Sequence, residues 1–387
     1  MSLLDAFADL TDPRQPDLVE HRLLDIVGIT LCAIFAGADT WVDVAAFGRA
    51  KQDWLQTWLA LPHGIPSHDT FGRVFARLNP QELAHSFARW VEALVEALQA
   101  RLPVPAPADL RVRAIDGKQS RCSHDRLHDQ PALHVVSVWA SETRLILANQ
   151  AVDTKSNEIT AIPLLLRQLD VTGCLVTIDA MGCQRAIAQQ IIDQGADYVL
   201  ALKENQETLY QEVRECFAEQ RQDDHVQATG DVQVGKDHGR RERRTATVIT
   251  DGPTLAWLQA RHHWPGLQAV GRIEAERRFP DGTIESETRY YLLSVPLTAA
   301  ACNHAVRLHW GIENQAHWIL DMAFGDDASR IRVGHGAENV ALLRRLALNV
   351  IRQDHSKQGG VKARRLQAGW DTAYLLHLFS LVANSTD

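Results

Sequence analysis

The run Cys174-Leu-Val-Thr-Ile-Asp179-Ala-Met-Gly constrains this chain more than any other segment. It is apolar or β-branched without alternation, so it reads as a central strand buried on both faces of a sheet that carries helices on either side. A carboxylate at the end of such a strand needs a counter-charge or a metal, because burial alone would neutralise it. The segment Arg113-Ala-Ile-Asp116-Gly-Lys118 repeats the design, an apolar strand closing on Asp116 with Gly117 allowing a sharp exit. Taken singly, either aspartate is as readily a turn former or a helix cap. Two of them at the ends of apolar strands suggest a metal site.

The texture around these strands predicts their order. Short β-type runs at Val112–Asp116, His134–Trp139 and Arg144–Val152 precede a helical stretch from Asn157 to Leu169. A strand at Leu175–Asp179, a helix at Cys183–Gln194, a strand at Tyr198–Lys203 and a long helix at Gln206–Gln220 follow. Three strands and then alternating helix and strand give an α/β class with a ribonuclease-H-like mixed-sheet core. There, right-handed crossovers bring the first and fourth strands together and set Asp116 beside Asp179. From 223 to 296 strands return around a Pro280-Asp281-Gly282 turn, an antiparallel β insertion. Helices are expected at Thr298–Phe324 and Ala337–Arg352. A basic loop through Lys357 and Arg365 and a short helix at Trp370–Val382 complete the pattern.

Before the core, Leu102-Pro-Val-Pro-Ala-Pro-Ala cannot continue a helix, since its prolines lack amide donors, and a boundary belongs there. The residues before it favour helix, with Phe87, Trp90, Val91, Leu94, Val95 and Leu98 at helical spacing, and predict an all-α N-terminal domain. The expected division is 1–105 helical, 106–222 first part of the core, 223–296 β-rich insertion, and 297–387 the helical remainder with a basic tail. Within the first part, Gly64-Ile-Pro-Ser67-His-Asp69-Thr reads as a loop and helix start in a helix-turn-helix-sized unit, which either packs as a plain corner or reads DNA.

The apolar stretch Ile26–Ala38 is too short to cross a bilayer and is bracketed by Asp25 and Asp39, so it predicts a core helix and no membrane partner. The acidic start MSLLDAFADL lacks the basic residues of a signal peptide, and the six cysteines form no C-x-x-C pair. A cytoplasmic protein with buried thiols is expected. The net charge of −8 argues against a nucleic-acid partner, but the charge is segregated: Arg330–Arg365 holds nine Lys and Arg against Glu338 and Asp354.

A third acid, Glu313, stands in His309-Trp-Gly-Ile-Glu-Asn314-Gln-Ala-His317, where a continuous helix would put His309, Glu313 and His317 on one face. That face fits zinc poorly, because zinc helices pair histidines four apart. It fits better if Glu313 is an oxygen ligand for a hard divalent cation. With IDGK at Asp116, the run Lys155-Ser-Asn-Glu-Ile, TIDAMGCQ at Asp179, LALKENQ at Lys203 and HWGIENQAHWILDMAFGDDASRIR, the chain resembles bacterial insertion-sequence transposases of the H-repeat-associated, ISAs-type group. The resemblance runs from about Leu10 to Ile351.

It implies a DDE transposase whose catalytic and metal-binding acids are Asp116, Asp179 and Glu313. It also implies Mg2+ with Mn2+ as substitute, double-stranded DNA as element ends and target, a homodimer on paired ends, and a nucleoid-associated location. The wider relatives surround the glutamate with a Y-x2-R-x3-E-x6-K pattern. Here Val306, His309 and Leu320 stand at those positions, so Arg307, His309 and Asn314 are the expected substitutes for gripping DNA. Lys118, Arg121, Lys155, Lys203, Arg240, Arg243, Arg330 and Arg332 complete the expected DNA contacts; solvated lysines and a charged edge strand are the plainer account. A metal-dependent nuclease without strand transfer, and an inactive DNA-binding relic, are the alternatives.

Overall fold

The two apolar strands become neighbours in a single sheet. A computed structural model describes residues 3–99, 110–125, 130–152, 157–221, 225–237 and 240–381. Among the described residues there are nine strands: β1 (Val112–Gln119), β2 (His134–Ala140), β3 (Leu145–Ala151), β4 (Leu175–Ile178), β5 (Asp197–Leu202), β6 (Ala228–Asp237), β7 (Arg240–Ile249), β8 (Ala269–Arg278) and β9 (Ile284–Leu293). They run in the order β3-β2-β1-β4-β5-β9-β8-β7-β6. The β1–β4 and β4–β5 pairs are parallel and the rest antiparallel. All four residues of β4 are buried, as its unbroken apolar sequence requires.

The helices are α1 (Leu23–Phe35), α2 (Trp41–Ala50), α3 (Gln52–Leu55), α4 (His68–Arg77), α5 (Pro80–Gln99), α6 (Glu158–Gln168), α7 (Arg185–Asp193), α8 (Glu207–Gln220), α9 (Gly252–His262), α10 (Ala299–His309), α11 (Trp318–Phe324), α12 (Gly336–Gln353), α13 (Val361–Trp370) and α14 (Thr372–Ser380). The first α/β crossovers pass through α6 and α7, which are amphipathic and bury Ile162, Leu165, Ile187 and Ile191. Ser67 caps α4 by accepting the Thr70 amide at 3.2 Å. The helix α12 buries apolar residues nearly all round and packs on α1, α4, α5 and β3. The main apolar core therefore runs from Leu3 through the sheet to Phe379, and a second gathers Val112, Leu175 and Val199 with Cys302, Ala305 and Val306 of α10.

Several expectations change. Asp116 is not the last residue of β1: the strand continues through Gly117 to Gln119, because β2 keeps pairing with it down to Gln119–His134. The segment 223–296 contains a helix, α9, held by the Asp251 cap, and a strand, β6, with exposed Val232 and Val234. Its strands do not stand apart. β9 pairs with β5 and extends the same sheet. The expected basic loop is α13, and its Arg365 is buried with its guanidinium on the Ile34 carbonyl at 2.8 Å. Arg344 and Arg345 are buried as well, so a third of the Arg330–Arg365 basic charge faces inward. All six cysteines are free, five of them buried. No described helix is long and apolar enough to cross a membrane.

Candidate active site

The last parallel pair between β1 and β4 is Ile115–Ile178, and Asp116 and Asp179 are the next residue on each strand. Parallel pairing thus delivers both carboxylates to one edge of the core. The Asp179 side chain accepts the amides of Met181 at 3.0 Å and Gly182 at 3.3 Å, which fixes it in the turn after β4. Burial and the nearby charge of Glu158 nevertheless push Asp179 above the ordinary carboxylate range, with the two amides opposing.

Helix α10 does not continue to Phe324. It gives way to a π-helical stretch, Ile312–His317, and resumes as α11. The wider turn changes which side chains align, and such bulges occur often at functional sites. The His309 Nδ1 lies 3.0 Å from Thr177 Oγ1, and the His317 Nδ1 lies 3.4 Å from Asp116 Oδ2. Burial lowers the pKa of His309, against the pull of Asp116. Glu313 sits on the π-helical wall, where burial and the charge of Asp116 raise its pKa while Arg289 opposes. A cleft of about 740 Å³ brings together Asp116, Asp179, Lys203, Arg289, His309 and Glu313.

Among the described residues, the three acids whose oxygens approach within 4.8 Å of one another are Asp116, Asp179 and Glu158. Glu313 lines the same cleft outside that group, and His309, Glu313 and His317 do not converge into a zinc-like cluster among the described residues. Closely grouped carboxylates suit a hard divalent cation that takes oxygen ligands.

A family model described as Transposase DDE domain matches residues 107–350. The chain belongs to the DDE transposase family. A second model, described as DDE_Tnp_1-associated, matches residues 4–91 of this family member. Its relatives include "Putative transposase YncI" of Escherichia coli O157:H7, 36% identical and covering 97% of this chain and 93% of that one. They also include "H repeat-associated putative transposase YhhI" of Escherichia coli (strain K12), 34% identical over 96% of each chain. "Uncharacterized protein in dhlA 3'region" of Xanthobacter autotrophicus is 43% identical over 74% of this chain and 92% of its own. Among solved structures, a piggyBac transposase synaptic complex with hairpin DNA aligns at a TM-score of 0.40 and 10% identity, covering 100% of this chain and 83% of that one.

In this DDE transposase family chain the expected DNA contacts separate. Lys203 opens onto the cleft. Lys118 does not: it is buried, with its ammonium 2.7 Å from Asp321 and 3.1 Å from Asp327, so two carboxylates occupy it in place of a phosphate. Arg121 is exposed and 3.1 Å from Asp327. Arg243 and Arg307 are exposed on β7 and α10, Arg307 reaching to 4.0 Å from Glu242. Asn314 is exposed and donates to the Trp310 carbonyl at 3.0 Å. Arg330 and Arg332 line a separate groove with Arg73 and Arg77 of α4, and Arg332 also donates to the Cys122 carbonyl. Arg240 opens β7, and its side chain lies outside the described residues, as does Lys155 altogether.

Two residues of the site were not singled out by sequence. Arg289 lies across a hairpin far from the motifs, its guanidinium 4.3 Å from the centre of the Trp310 ring. Glu158 stands within the Lys155-Ser-Asn-Glu-Ile run, which with its position directly after the Asn157 helix cap is the signal that could have found it.

Proposed function

We propose that this chain is a DDE transposase that cuts the ends of an insertion sequence and joins the freed 3′ hydroxyls to target DNA, acting as a dimer on paired ends at the bacterial nucleoid. The observation that supports this reading is that Asp116, Asp179 and Glu313, from two adjacent parallel strands and a π-helical turn, line one open cleft beside Lys203 and Arg289. On this reading, β1 to β5 with α6 and α7 are a ribonuclease-H-like catalytic core. The N-terminal domain and the Arg73, Arg77, Arg330 and Arg332 groove contact the DNA duplex.

The acids fit a resident Mg2+, with Mn2+ as substitute, because they offer only hard oxygen donors and because burial and mutual repulsion raise Asp179 and Glu313 despite the amides on Asp179 and the charge of Arg289. Asp116, Asp179 and Glu313 would hold it. A divalent cation bound there supplies Lewis acidity for the attacking and leaving oxygens of an in-line displacement. The chain's own residues do the positioning. Lys203 and Arg289 offer positive charge on the cleft wall for a phosphate, and the Trp310 ring under Arg289 limits its movement. His317 orients the Asp116 carboxylate. His309, kept from charging by burial and directed by Thr177, adds a polar wall without further positive charge.

The test is cleavage and joining of a labelled duplex carrying the gene's flanking terminal sequence, with Mg2+ or EDTA, for wild type and Asp179→Ala. Metal-dependent 3′-end cleavage together with joined product, both lost in the variant, is expected. Cleavage without joining would make the protein a nuclease, and binding without cleavage under any metal would make it a DNA-binding relic.

A further inference from the structure

We propose that Glu158 is a further, permanent carboxylate of the cation site beside Asp116, Asp179 and Glu313, carried in on α6 and held by His134 over the gap left by Gly117. The inference rests on the reading that Asp116 and Asp179 hold a divalent cation. Glu158 is the first residue of α6, 7% exposed, and lies with Asp116 and Asp179 inside the 4.8 Å group. Its Oε1 is 2.8 Å from the His134 Nε2 at the start of β2, and no other ion pair or hydrogen bond reaches this carboxylate among the described residues. His134 on Glu158, His317 3.4 Å from Asp116 and two amides on Asp179 are thin compensation for three acids, one of them nearly out of solvent.

The second observation is independent of the acids. A Cβ added at Gly117 would fall inside contact distance of both the Glu158 carboxyl and the His134 ring. Successive strand residues face opposite sides, so position 117 presents to the side opposite Asp116. With no side chain there, the Glu158 carboxylate can lie against the β1 backbone and reach the oxygens of Asp116 and Asp179. Gly117 has no positive φ and sits inside a paired strand, where glycine weakens the structure. The space it leaves is therefore its purpose. Three converging carboxylate oxygens are a donor set for a hard divalent cation such as Mg2+ or Mn2+ rather than for a thiophilic metal. The charge of Glu158 also helps to raise the Asp179 pKa, a repulsion that a cation would remove.

The test titrates the full-length protein with Mn2+ alone and follows the free ion by electron paramagnetic resonance, for wild type, Asp179→Asn and Glu158→Gln. Thermal unfolding in EDTA checks that each variant is folded. Glu158→Gln is expected to weaken Mn2+ binding at least tenfold, a loss that a merely structural partner of His134 would not cause. Mn2+ binding lost in Asp179→Asn but unchanged in Glu158→Gln would overturn the inference and leave the transposase reading intact. Equal binding by wild type and Asp179→Asn would overturn both. Should Glu158→Gln fail to fold, Glu158→Asp decides, since it keeps the charge but withdraws it from the cluster. A loss of fivefold or more supports the ligand role, and unchanged affinity refutes it.

Discussion

Replacing Asp179 by Asn should stabilise the metal-free protein and abolish its response to Mg2+. Asn keeps an Oδ1 acceptor for the Met181 and Gly182 amides, so the turn after β4 is preserved and the charge is the main change. Two like charges 4.8 Å apart, the outer limit of the acid group, repel by about 3 kcal/mol at an effective dielectric constant of about 20. Proton uptake and solvent relieve part of this, so the expected gain is about 1 kcal/mol. For 387 residues at about 2.1 cal/mol/K each, that gain raises the midpoint by only about 1 °C. The metal arm is larger. Ligand at a hundred times its dissociation constant adds about 2.7 kcal/mol, or about 3 °C here, to wild type and none to the variant. Differential scanning calorimetry in EDTA and in Mg2+ measures both arms. A variant less stable than wild type in EDTA, yet stabilised by Mg2+ to the same extent, would refute the reasoning, because the carboxylate would then be neither repelled nor ligating.

The raised carboxyls of Asp179 and Glu313 must lose their protons to take a cation, so Mn2+ affinity should fall as pH drops, starting above the pH at which free carboxylates titrate. Calorimetric titration across pH checks this, and a flat profile down to pH about 4 would contradict it. Asp326 behaves oppositely. It is fully buried, and although burial alone raises it, Arg345, Arg344 and Lys118 together hold its carboxyl below the ordinary value. The stability it contributes is therefore present above the unfolded carboxylate pKa and lost as pH falls through the lowered one. Asp326→Asn leaves the buried Arg344 guanidinium, 3.0 Å from it, without its carboxylate and should cost about 3–5 kcal/mol at neutral pH, with the gap to wild type shrinking in acid, as denaturant unfolding at both pH values would record. Lys203→Ala and Arg289→Ala should each weaken duplex binding and flatten the slope of log affinity against log salt by about 0.9, which fluorescence anisotropy reads directly. An unchanged slope in either would remove that residue from the phosphate path.

Much of the core is legible in the amino-acid sequence. The run of β4, apolar but for Thr177, could only be satisfied between two buried faces, and the succession of strands and helices with right-handed crossovers set Asp116 beside Asp179. The helices α4 and α12 were readable for the same reason, one by its Ser67 cap and one by its dense apolar surface. Where the reading failed, distant partners overrode local signals. Gly117 looked like an exit from β1 but is paired across to Val136. Lys118 looked like a phosphate ligand but meets two carboxylates some 200 residues further along the chain. Arg344, Arg345 and Arg365 looked like surface charge but satisfy buried acids and carbonyls.

Residue types along the chain are enough to say that β4 is central and runs into Asp179, because burial on two faces leaves a composition that few other structures tolerate. Tertiary structure alone decided which side chains complete the site. Arg289 reaches it from a hairpin with no motif to mark it, Glu158 from a motif that gave it no role, and the π-helical turn that carries Glu313 leaves no periodic trace in sequence. Charge and hydrogen-bond partners are set by distances in space, and neither adjacency in the chain nor residue type reports them.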